Sequence, residues 1–138
     1  MGAMMKALIA VGWLMTLGWQ TGAQAQDAVP VEVTTLGTSQ VTLHLHSFLA
    51  QDELTVLRLV AQDANALALF VPAGEGFAAM AASPDDGFIR DGVPVSSAVA
   101  LSGIADAATA QTDALAACEA ARKGAAACVL VLEIAPAE

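Results

Sequence analysis

The sequence predicts an α+β fold, an antiparallel sheet with one main Ala-rich helix packed on one face. Three observations predict it. Short strand-like runs, alternating apolar and polar in the first two, recur between turn signals from Val31 to Leu101. A Gly- and Pro-free, Ala-rich stretch then covers Asp106 to Arg122. A nearly continuous apolar run, Cys128 to Ile134, follows as a buried strand.

The elements are taken in chain order. Residues 1–25 read as a secretory signal peptide: Lys6 supplies the positive start, Ala7 to Leu17 the apolar stretch, and Ala23-Gln24-Ala25 the cleavage site. Cleavage there leaves residues 26–138 as one small secreted domain. Val31 and Val33 alternate with Glu32 and Thr34. After the turn cluster Leu36 to Gln40, Val41, Leu43 and Leu45 alternate with Thr42, His44 and His46, which predicts a hairpin. Ser47 to Leu54 reads as a short helical turn. Thr55 to Gln62 is ambiguous: its β-branched content favours a strand, the preferred reading, while Leu54, Leu57 and Ala61 also fit one helical face. Asp63-Ala64-Asn65 reads as a turn, and Leu67 to Val71 as a strand stopped by Pro72. Phe77 to Ser83 is the next strand. Pro84-Asp85-Asp86-Gly87 is a tight turn, because Pro presets φ, Asp bonds local backbone and Gly permits positive φ. Phe88 to Arg90 returns, Asp91-Gly92 turns again, and Val95 to Leu101 is a further strand.

The helix from Asp106 to Arg122 has strong intrinsic propensity. Asp106 suits its N-cap, and Ala107, Ala110, Ala114, Ala117, Cys118 and Ala121 form an apolar stripe. Arg122 and Lys123 suit the negative end of its dipole, and Gly124 the position after it.

Phe77 to Ile134 resembles an uncharacterised family of small exported bacterial domains. The residues carrying the likeness are Ala78-Ala79-Met80-Ala81 with Ser83-Pro84, the A-x-x-x-A-L-x-x-C helix from Ala110 to Cys118, and the C-V-x-V strand from Cys128 to Val131. The family usually has more aromatic residues. The resemblance implies this fold and an exported setting, with no known activity and no site residues.

Charge and composition exclude several functions. Lys plus Arg number 5 against 14 Asp plus Glu, a net charge of −9. Tracking nucleic-acid phosphates needs a basic face, which excludes nucleic acid as a partner. The same balance argues against docking on anionic lipid, so no membrane association is expected after signal cleavage.

Cys118 and Cys128 are the whole cysteine inventory. An even count in an exported chain reads as a structural disulfide, here clipping the helix to the following strand. His44 and His46 have a metal-ligand flavour, since residues i and i+2 of a strand share a face. A zinc site also needs a third ligand, for which Glu32 on the paired strand is a candidate. The plainer reading places both imidazoles on the wet face of the hairpin. Gly74-Glu75-Gly76-Phe77-Ala78-Ala79 matches a dinucleotide fingerprint by letters, but the fingerprint needs a helix next and an acid about 20 residues on. Pro72 interrupts, Phe77 onward favours a strand, and no acid lies between Gly92 and Ala105. Asp85 and Asp86 read as adjacent turn carboxylates pointing apart into water. No G-x-S-x-G surrounds any serine. A 5-aminolevulinate synthase assignment, which short exported chains of this appearance sometimes carry, is not supported. A pyridoxal phosphate enzyme needs a Schiff-base lysine in a phosphate-holding pocket, and Lys123 at a helix end is the only lysine after the signal segment.

The expectation is therefore a periplasmic or secreted domain that binds an envelope protein or a small ligand, without a cofactor and without catalytic residues. Metal handling through His44 and His46 is the first alternative, and a small hydrolase the second.

Overall fold

The computed structural model describes residues 29–71 and 75–137. The signal segment expected over residues 1–25 lies outside the described residues. The chain order is β1 (Val31–Leu36), β2 (Ser39–His44), α1 (Gln51–Gln62), α2 (Ala64–Phe70), β3 (Phe77–Ala82), β4 (Ile89–Arg90), β5 (Val93–Pro94), β6 (Val99–Ile104), α3 (Ala107–Ala121) and β7 (Val129–Pro136). Five strands form one antiparallel sheet in the order β1-β2-β7-β3-β6, and β4 and β5 form a separate ribbon. The α+β prediction holds, with the Ala-rich helix on one face of the sheet.

The expected first hairpin is present, turning at Gly37 with φ +60°. Glycine at the first central position suits the twist of a two-residue hairpin. At the far end of the chain, β7 enters the middle of the sheet, between β2 and β3. It runs through Pro136, beyond the end its apolar run suggests.

Register sorts the side chains onto two faces. Val41, Leu43, Ala78, Met80, Leu132 and Ile134 point one way, onto Leu57, Val60 and Ala61 of α1 and Phe88. Ala79 and Ala81 point the other way, onto Ala110, Ala114 and Cys118 of α3. Small residues on both sides of this second layer let α3 lie close against β3. Asp106 caps α3 as predicted, accepting from the Thr109 amide at 2.8 Å.

Two strand expectations fail, and both segments are helical. Thr55 to Gln62 belongs to α1, because Leu57, Val60 and Ala61 recur at helical spacing and are buried together. The helical face of Leu54, Leu57 and Ala61 outweighs β-branched content once one side is covered by the sheet. Leu67 to Val71 is not a strand either: α2 runs from Ala64 to Phe70. Asp63, expected in a turn, is its N-cap and accepts from the amides of Asn65 and Ala66 at 2.9 Å. The face of the sheet opposite α3 is therefore covered by α1, and α2 packs on α1 with Ala66, Leu67 and Phe70 at the margin of the same core.

Smaller differences follow the same logic. The helix expected within Ser47 to Leu54 begins at Gln51, and the strand expected from Val95 begins at Val99. Phe88 to Arg90 pairs with β5 through the Asp91-Gly92 turn, not with β3. Both turn residues have positive φ, 53° and 76°. Gly124 does not supply positive φ after α3. It is glycine because a Cβ there would lie 2.3 Å from Asp85 Cβ.

Carboxylates hold these elements together. Asp85 and Asp86 do not point into water. Asp86 accepts from the amides of Lys123 (2.9 Å) and Gly124 (2.8 Å) and from Ser97 Oγ (2.7 Å), and Asp85 from the Ala126 amide (2.8 Å). Glu119 accepts from the Cys128 amide at 2.6 Å. Cys118 and Cys128 form the expected disulfide across the same loop, with Cα atoms 6.1 Å apart.

Glu53, buried at the start of α1, accepts from the amides of Ala50 (3.0 Å), Phe88 (2.6 Å) and Ile89 (2.8 Å). Burial alone would push its carboxyl up, but these three amides and nearby Arg90 hold it below its ordinary value. Asp86, through Ser97 and the loop amides, and Glu119, through Cys128, are also held low. The unfolded chain, with carboxyls at ordinary values, binds more protons in this range. Their contribution is complete above the ordinary carboxylate range and lost as pH falls through the depressed folded values. Urea unfolding at stepped pH should show stability falling as the medium is acidified below about pH 5. Glu53→Gln should cost about 2 kcal/mol at neutral pH by leaving buried amides poorly paired, and should flatten that acid dependence. Separately, replacing both cysteines with alanine should lower unfolding free energy by about 3 kcal/mol. Alkylation of the folded protein without reductant should label neither thiol.

Candidate functional site

The α3 side of the sheet is only partly covered. Helix α3 lies mainly over β3 and β6, so the same face of β1, β2 and β7 stays open beside it. Register places Val31, Val33 and Thr35 of β1, Gln40, Thr42 and His44 of β2, and Glu133 and Ala135 of β7 on this open area. Val31 is 50% exposed and Val33 55%.

Two adjoining hollows form a groove on this area, next to the start of α3 at Ala107. One hollow, of about 130 Å³, is lined by Gln40, Thr42, Phe77, Ala107, Glu133 and Ala135. A second, of about 420 Å³, shares Gln40, Phe77 and Ala135 with it and extends to Thr35 and Ala137. The lining mixes Phe77, alanines, Ile134 and Pro136 with four polar residues, Thr35, Gln40, Thr42 and Glu133. Neither hollow is lined by a lysine or arginine.

Glu133 organises one end of the groove. His44 Nε2 donates to Glu133 Oε2 at 2.6 Å, and Gln111 Nε2 of α3 donates to Glu133 Oε1. One carboxylate thus ties β2, β7 and α3 together. His46 Nε2 donates to the Leu130 carbonyl at 2.6 Å, and the His46 ring stacks between those of His44, at 6.1 Å, and Phe48, at 5.4 Å. Both imidazoles are partly buried and tied to β7, not free on a wet face.

Several candidates from the sequence are not brought together. Glu32, the candidate third metal ligand, pairs with Leu43 in the register and so lies on the opposite face from His44. There it receives Arg58 of α1, with Nη2 to Oε1 at 2.8 Å. Among the described residues, no group of three or more His, Cys, Asp or Glu side chains is placed to hold a metal ion. The letters of the dinucleotide fingerprint lead into β3, not a helix, and Gly76 is pressed against β6, where a Cβ would lie 2.8 Å from the Ile104 carbonyl oxygen. Buried Ser83 and Ser97 bond to the Ala126 carbonyl and to Asp86. Among the described residues, neither is hydrogen-bonded to a histidine.

Sequence reasoning missed Glu133 and Gln111. The available signal was Glu133 itself, a lone acid inside the run Cys128 to Ile134, since an acid in a buried strand needs a partner. Gln111 had no comparable signal, because only the packing of α3 brings it to that strand.

Among the described residues no helix is long and apolar enough to cross a membrane. Comparison of the chain with known protein families, with curated proteins and with solved structures finds no match in any of the three.

With each Nε2 donating to an oxygen, only Nδ1 of either histidine is open to a metal. Calorimetric zinc titration should therefore give a dissociation constant no tighter than roughly 1 μM. Submicromolar binding abolished by His44→Ala would establish the metal site instead.

Proposed function

We propose that this chain is a non-catalytic binding protein of the cell envelope, periplasmic or secreted, belonging with the exported bacterial domains that its second half resembles. The groove on the open β1-β2-β7 face, next to the start of α3, is its binding surface. The observation that carries this reading is the groove itself: it combines the Phe77 ring with hydrogen-bonding groups of Gln40, Thr42 and Glu133. The Cys118–Cys128 bond supports an oxidising compartment.

The chemistry of the lining suits an uncharged ligand that both donates and accepts hydrogen bonds. An anion would meet the Glu133 carboxylate with no cation in the lining to offset it. His44 and Gln111 donate to the two Glu133 oxygens and fix the carboxylate in place as an acceptor.

The test has two readouts on the exported protein. Mass spectrometry should find a chain beginning at Gln26. Amide NMR spectra recorded with chitotriose, maltotriose and blocked trialanine as separate probes should shift Gln40, Thr42, Phe77 and Ala135 with at least one of them. Thr42→Arg should remove those shifts. Turnover of an ester or peptide substrate, or ligand shifts confined to another surface, would overturn the reading.

A further inference from the structure

The two edges of the sheet are built differently. Edge strand β6 is interrupted: Gly103 has φ +69°, the register with β3 shifts between Phe77 and Ala79, and α3 packs over it. Bulges and a covering helix are the usual means of blocking an edge. Edge strand β1 has no such bulge, and α1, which lies against one of its faces through Arg58 and Glu32, leaves its outer edge uncovered among the described residues. Its six residues, VEVTTL, pair with β2 without a shift, contain no Pro or Lys, and include four β-branched residues. Its single charge, Glu32, is turned toward α1 and neutralised by Arg58.

The backbone groups of β1 that have no partner among the described residues can be assigned. Leu36 and Ser39 flank the two-residue turn, and the Leu45 amide donates to the Pro30 carbonyl at 2.8 Å. Antiparallel hydrogen bonding alternates, so Pro30, Glu32, Thr34 and Leu36 bond toward β2. Val31, Val33 and Thr35 therefore point their N–H and C=O groups away from the sheet.

We propose that β1 pairs with β1 of a second copy of this chain, antiparallel about a two-fold axis through Val33. This register satisfies the outward groups of all three residues. It sets Val33 against the partner's Val33 and Val31 against the partner's Thr35, so the exposed valines gain cross-strand neighbours. Glu32 falls opposite the partner's Thr34, and no two acids face each other. A two-fold axis perpendicular to the sheet keeps the same face up in both copies. Both ligand grooves then open on one side of a ten-stranded sheet, and neither is covered. This pairing is independent of what the groove binds.

One strand pair is small beside a standard protein interface, so a reversible dimer is expected. The net acidity of each copy opposes it, and added salt should favour it. Sedimentation of the full chain, as processed by the producing cell, should show dimer increasing with protein concentration and with salt. Val33→Pro removes an outward N–H without touching the β1–β2 ladder. It should weaken association by about tenfold or more, as should Val33→Lys, with unchanged thermal unfolding of the monomer. Val93→Lys, at an exposed valine of β5, should leave association unchanged. In the proposed register Val33→Cys should cross-link to itself under mild oxidation, since hydrogen-bonded antiparallel pairs hold Cα atoms about 5.5 Å apart, whereas Val31→Cys should not. A single monomeric species at all concentrations and salt levels, or cross-linking equal at both positions, would overturn the proposal.

Discussion

The capture of the loop after α3 by Asp86 is the contact on which the rest of the structure depends. Its carboxylate takes the amides of Lys123 and Gly124, and Asp85 takes that of Ala126. These bonds press the loop onto the turn after β3, where only glycine fits at position 124. The chain leaves α3 and doubles back, so that Cys128 reaches Cys118 and β7 enters between β2 and β3. Without that return the hairpin of β1 and β2 would have no sheet to join.

The same device recurs throughout the fold. Glu53, Asp63, Asp85, Asp86, Asp106 and Glu119 all accept backbone amides that no helix or strand ladder satisfies. Charged acceptors make stronger hydrogen bonds than neutral ones. A chain with few aromatics uses them to fix loops that a larger core would otherwise hold. Six of the 14 acidic side chains thus serve internal architecture.

The two faces of the sheet serve different ends. One is filled by large aliphatic residues beneath α1. On the other, alanines let α3 sit close over β3, and the helix is too narrow to reach β1 and β2. The groove is a consequence of that offset. Glu133 marks its end because it bridges the strand to the helix, while His44 and His46 each bond to an oxygen of β7.

The α+β class, the first hairpin, the Asp106-capped helix and the disulfide were legible in the sequence, because each rests on local periodicity, local capping or a count of two cysteines. The helical state of Thr55 to Gln62 was not, because those residues satisfy two periodicities and only contact with the sheet selects one; that of Leu67 to Phe70 was not, because a short apolar run fits either element and here the Asp63 cap and packing on α1 make it helical. The sequence likewise identified His44 and His46 as neighbours but not their partners. Glu133 and Gln111 lie 89 and 67 positions from His44 along the chain, and no local rule connects them. The tertiary structure alone decided that Asp85 and Asp86 face a loop and that Glu32 turns to Arg58. Such choices depend on which distant amide or cation arrives beside the carboxylate, and that is set by the path of the whole chain.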